Sequence, residues 1–115
     1  MKQLSNFERR FIAAIAESDP QREIILGQLQ MATVASRDYT GVGLYTKISI
    51  PASAPKLDEA RWKIEDMPKC SGEHPAIPAG AGFILWVKGG YITCLESYTY
   101  DGNWPANEDL FQPAV

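Results

Sequence analysis

Histidine occurs once and cysteine twice among the 115 residues, and each scarcity closes off a class of protein. Two cysteines, Cys70 and Cys94, build no disulfide framework. A chain of this length needs none, because folding buries roughly two-thirds of the surface its unfolded form exposes. Cys70 and His74 stand four residues apart, but one Cys plus one His is too few ligands for zinc, so no metal and no cofactor is expected. A Cys-His nucleophile site would need the two held in contact, which a Pro- and Gly-rich surrounding segment does not promise. No stretch approaches the roughly eighteen apolar residues of a membrane span, and the N-terminal residues Met1 to Arg10 lack the apolar core of a signal peptide. The expectation is a cytoplasmic protein with reduced thiols and no membrane partner.

Excess positive charge is also lacking. Eleven Lys and Arg against fourteen Asp and Glu leave a formal net charge of -3, which argues against nucleic-acid binding through a broad basic surface. Residues 91–115 hold Glu96, Asp101, Glu108 and Asp109 with no Lys or Arg, a local -4, so residues 1–90 sum to +1. Such an acidic end suits encounter with a basic partner, although four acids in twenty-five residues more often form a solvated tail.

Against these absences stand 45% hydrophobic and 10% aromatic residues, enough for one globular domain spanning 1–115. Leu4, Phe7, Phe11, Ile12 and Ile15 recur at helical spacing, and Ser5 with Glu8 fits a capping box, so a helix is expected over about 5–17. Asp19-Pro20 reads as the start of a second helix, with Ile24, Ile25, Leu26 and Leu29 as its buried stripe. Gly27 within it suggests a close-packing point.

The period then changes from helical to alternating. Val42, Leu44, Thr46, Ile48 and Ile50 share one face of a strand that pairs with residues 33–39 through a turn at Thr40-Gly41. Residues 61–67 alternate weakly and fit a strand or a short helix, with the strand favoured. From Pro68 to Gly82, three Pro and three Gly with few large apolar residues predict the longest loop. Phe83 to Tyr98 forms a hairpin turned by Gly89-Gly90. With a regular ladder, Trp86 faces Thr93, Leu85 faces Cys94 and Phe83 faces Glu96, which puts Phe83, Leu85, Val87, Ile92 and Cys94 on the core side. Two helices followed by strands give an α+β fold, with both helices on one face of a four- or five-stranded, mostly antiparallel sheet. The second face is then open unless the 68–82 loop or the C-terminal tail covers it.

That open face is the first candidate site. Ile84, Trp86, Tyr91 and Tyr45, rimmed by Lys47 and Lys88, have the composition of a protein-interaction patch. Glu96, Tyr98, Asp101 and Trp104 fall within a segment dense in carboxylates and aromatics. On the regular ladder Glu96 ends the apolar face, where a carboxylate needs a partner unless a bulge releases it. Glu96 and Asp101 also suggest an alternative, a small-ligand or acid-base pocket. Gly80-Ala81-Gly82 precedes a strand rather than a helix, so it is not a phosphate loop.

The segments Tyr39-Thr40-Gly41-Val42-Gly43-Leu44-Tyr45, Gly82-Phe83-Ile84-Leu85-Trp86, and Gly90-Tyr91-Ile92-Thr93-Cys94-Leu95-Glu96-Ser97-Tyr98 continuing to Trp104-Pro105 resemble a family of small uncharacterised bacterial proteins. Some of these are similar to immunity or accessory proteins of toxin systems. The resemblance transfers no catalytic motif; it implies that the Thr-Gly-Val-Gly and Leu-Glu-Ser-Tyr segments form one linked feature, with Glu96 near the Gly41 turn. The expected function is a non-enzymatic protein-binding domain, with a homodimer as a second assembly.

Overall fold

A computed structural model of the chain describes residues 2–58 and 67–114. The order is α1 (Asn6–Glu17), α2 (Arg22–Met31), β1 (Thr33–Tyr39), β2 (Gly43–Ser49), β3 (Lys69–His74), β4 (Ile77–Lys88), β5 (Tyr91–Thr99), a short 3-10 helix (Glu108–Leu110) and β6 (Gln112–Pro113). The fold is α+β, and its antiparallel sheet has six strands rather than four or five. The spatial order is β1-β2-β5-β4-β3-β6. The strand expected over 61–67 lies, apart from Met67, outside the described residues.

Helix α1 begins at the anticipated capping box: Ser5 N–H donates to the Glu8 carboxylate at 2.7 Å, and Glu8 N–H donates to Ser5 Oγ at 3.1 Å. Helix α2 begins later than Asp19-Pro20 suggests. Asp19 Oδ1 accepts the Gln21 N–H at 2.8 Å, which closes a turn before the helix, and the N-cap Gln21 makes no side-chain capping bond. Gly27 is not a close-packing point, since a Cβ there would have open space around it. The polar residue Gln28 is the surprise of α2: wholly buried, it donates to the carbonyls of Pro55 and Gly90 and accepts the Ile92 N–H, fastening the loop after β2 to the β4–β5 turn.

The largest correction concerns residues 68–82. They form β3 and the first half of β4, joined through Pro75-Ala76, rather than a loop. Two of their three glycines, Gly72 and Gly82, are seats for rings, not breaks in the chain. A Cβ on Gly72 would lie 2.6 Å from the Phe83 ring and 2.8 Å from Phe11, and one on Gly82 would lie 2.5 Å from Tyr98.

The second correction is one of register. The β4–β5 hairpin pairs Lys88 with Tyr91 and Val87 with Ile92 as expected, then shifts at a bulge, so Trp86 faces Cys94, Leu85 faces Leu95, Ile84 faces Glu96 and Phe83 faces Ser97. The extra residue moves Leu95 and Ser97 onto the helix side and turns Cys94 and Glu96 to the opposite face. The helix-side core is aromatic at its centre, with the rings of Phe11 and Phe83 stacked at 3.8 Å and Phe7 and Phe111 packed around them.

Candidate functional site

Neither of the two segments expected as covers, 68–82 and the C-terminal tail as far as residue 114, lies over the open face. Residues 69–74 and 77–82 are strands within the sheet, and the chain after β5 turns to the helix side. There Trp104 stacks on Phe111 at 4.9 Å, and Arg10 donates to the carbonyls of Asp109 and Phe111. Among the described residues, no helix or strand lies over the face opposite the helices.

The bulge builds the centre of that face. Glu96, Tyr45 and Ile84 lie side by side on β5, β2 and β4, with Trp86 diagonal to Glu96. Trp86 Nε1–H donates to Glu96 Oε1 at 2.9 Å, and the Tyr45 hydroxyl reaches Glu96 Oε2 at 3.5 Å. The negative charge of Glu96, followed by burial and this hydrogen bond, pushes the Tyr45 phenol above its usual pKa. A carboxylate is thus held by two neutral donors on a face where Tyr45 is 38% exposed. Tyr98 continues the row over Gly82, and its ring meets Tyr100 edge-on at 5.8 Å. Tyr100 in turn shares a 2.9 Å hydrogen bond with Ser71. Lys47 and Lys69 are exposed on the same face.

The seven residues expected to bind are therefore divided among several places. Tyr45, Trp86, Glu96 and Tyr98 come together on the open face. Tyr91 belongs to the hairpin end, where its hydroxyl donates to the Ala52 carbonyl at 3.0 Å and Lys56 Nζ sits 5.8 Å from its ring centroid. Asp101 is exposed in the turn beyond β5. Trp104 lies at the opposite end, near the β1–β2 turn, with its backbone N–H donating to the Gly41 carbonyl at 2.9 Å.

The two sequence segments expected to form one feature are neighbours in the sheet. Gly43 pairs with Tyr98 and Tyr45 with Glu96, but Thr99 and Trp104, rather than Glu96, bond to the turn at Gly41 and Val42. One aromatic was missed: Tyr100 follows Glu96 and Tyr98 in the same alternation, a signal that was present.

His74, on the helix side, accepts the Ala76 N–H at Nδ1, and its Nε2 is bonded to the Asn107 carbonyl. Both nitrogens are used, and Cys70 pairs with Phe83 farther along the strand. Burial pushes the thiols of Cys70 and Cys94 up to about 11, so both are protonated at neutral pH and are poor nucleophiles. Among the described residues, no group of three His, Cys, Asp or Glu side chains is arranged to hold a metal ion, and no helix is long and apolar enough to cross a membrane. Comparison with protein-family models, curated proteins and solved structures finds no match to the chain.

Proposed function

We propose that this chain is a non-enzymatic cytoplasmic binding domain that seats a protein partner on the face of its sheet opposite the helices. It would act as the bacterial immunity or accessory proteins resembled by its segments do. One observation carries the reading: the face opposite the helices holds an aromatic row whose central members, Trp86 and Tyr45, are tied to the Glu96 carboxylate. Side chains tethered in this way lose little rotamer freedom on contact, which favours anchoring by aromatics. Lys47 and Lys69 supply a polar rim, and Asp101 and Asp109 at the acidic end favour encounter with a basic partner. A ligand pocket shared by Glu96 and Asp101 is the weaker reading, because the Glu96 oxygens already have protein donors and Asp101 lies in the exposed turn beyond the strand.

The test is capture from native lysate with the wild-type chain and with Trp86→Ala and Tyr45→Ala, followed by titration of the purified captured protein. A 1:1 complex weakened at least about tenfold, or about 1.4 kcal/mol, by each variant supports the reading. A captured protein that binds both variants as it binds wild type overturns it. So does a concentration-dependent dimer abolished by Trp86→Ala, which would assign the face to a second copy of the chain.

A further inference from the structure

At the β1–β2 turn, away from the open face, Tyr39, Gly41, Trp104, Pro105, Ala106 and Glu108 line a concavity of about 340 Å³. Trp104 Nε1–H donates to Glu108 Oε2 at 2.8 Å, and the Tyr39 hydroxyl donates to the same oxygen at 3.2 Å. Both donors are neutral, so they orient the carboxylate without cancelling its charge. Among the described residues, no Lys or Arg lies within ion-pair distance of Glu108. Arg37 is near enough to feel that charge but is already committed to Glu8 through two hydrogen bonds.

One face of the Trp104 ring is covered by Phe111, stacked at 28°, while Trp104 also lines the concavity. Tyr39 is 59% exposed beside it. An oriented carboxylate without an ion-pair partner among the described residues, set between two aromatic side chains, is complementary to an organic cation, which gains both the charge of the carboxylate and the quadrupole of the rings. A hydrated inorganic ion would use the aromatic walls poorly.

We propose that this concavity binds an organic cation, an ammonium or guanidinium group, with Glu108 as counter-ion and Tyr39 and Trp104 as aromatic walls. The group is either a basic side chain on a protein or a free small amine. The site does not depend on the sheet-face reading, since it shares none of the residues altered to test that face.

The experiment follows the indole N–H signals of the three tryptophans by ¹⁵N-correlated NMR, assigned with single Trp→Phe variants, in the full chain. The probes are blocked lysine amide, blocked arginine amide, tetramethylammonium, and blocked norleucine amide as the neutral isostere. The expected result is a saturable shift of the Trp104 signal with the cations, in the millimolar range and weakened by salt, while the Trp86 signal stays still. Norleucine amide should have no effect. Glu108→Gln should weaken cation binding at least about tenfold, and Tyr39→Leu, an exposed substitution, supplies a second variant should Glu108→Gln melt early.

A short peptide with one lysine that binds at least about tenfold tighter than tetramethylammonium identifies the source as a protein side chain; equal binding identifies a small amine. The proposal is overturned if no probe gives a saturable Trp104 shift, if norleucine amide matches lysine amide, or if both variants bind as wild type does.

Discussion

Strand β5 sends Leu95 and Ser97 into the helix-covered core and Glu96 and Tyr98 to the open face, so the two faces of one sheet can be compared through neighbouring residues. On the covered side the buried polar groups are, with few exceptions, saturated. Glu8, 1% exposed, accepts hydrogen bonds from Ser5 N–H, Thr46 and both the Nε and Nη2 atoms of Arg37. Gln28 makes three bonds. On the open side and at the β1–β2 end, the donors to the carboxylates of Glu96 and Glu108 among the described residues are neutral, with no ion-pair partner. The difference follows from solvent. A buried charge left unmatched costs several kcal/mol, whereas water tolerates one at the surface, where it remains free to meet a partner.

The most direct way to break this comparison is a pair of truncations on opposite faces. Phe11→Ala removes a wholly buried ring stacked on Phe83 and should cost about 4 kcal/mol of stability in a denaturant titration. Tyr45→Ala, on the open face, should cost under about 1 kcal/mol. Equal losses would mean that the open face also holds the fold together.

Glu8→Gln comes next, with an expected loss of about 3 kcal/mol at neutral pH because it strips Arg37 of its charge partner. Burial alone would raise the Glu8 pKa, but the hydrogen bonds from Arg37, Ser5 and Thr46 and the charge of Arg37 together outweigh it and hold the value below 4.5. A carboxylate depressed on folding stabilises the native state above its unfolded value, and that stability is lost as the pH falls through the folded value. The gap between wild type and Glu8→Gln should therefore be widest above pH 4.5 and close progressively in acid. Denaturant titrations at stepped pH that show a constant gap would contradict this.

Ser97 sharpens the comparison from the other direction. Its hydroxyl is buried on the covered side without a hydrogen-bond partner among the described residues, so Ser97→Ala should raise stability by about 1 kcal/mol, read as a higher Tm. A drop would show that the hydroxyl is satisfied in solution.

The elements legible from local pattern were those in which one period dominates. The Ser5–Glu8 capping box and the stripe from Leu4 to Ile15 marked α1, and Gly89-Gly90 marked the last hairpin, because capping and tight-turn geometry depend on a few adjacent residues. A bulge was one way foreseen for Glu96 to leave the apolar face, but its place at Thr93 was not legible. Cys94 and Leu95 are adjacent apolar residues, so a ladder with either one facing inward satisfies the alternation; the choice is made by Leu85, which meets Leu95 across the strands. For the same reason the candidate site was only partly visible. Trp86, Tyr45 and Glu96 were named, but their union required the slipped register, and the pairing of Tyr39 with Glu108 spans 69 residues.

The amino-acid pattern by itself determined the two helices, the β1–β2 and β4–β5 hairpins, the α+β class and the scarcity of metal-ligating side chains, all of which depend on short-range periodicity or on composition. The tertiary structure decided that 69–82 is sheet, because Gly72 and Gly82 make room for rings brought from Phe11, Phe83 and Tyr98. It also decided which face Glu96 occupies. Both outcomes arise from packing between residues distant in the chain, where a missing side chain or one extra residue acquires meaning only from what is placed against it.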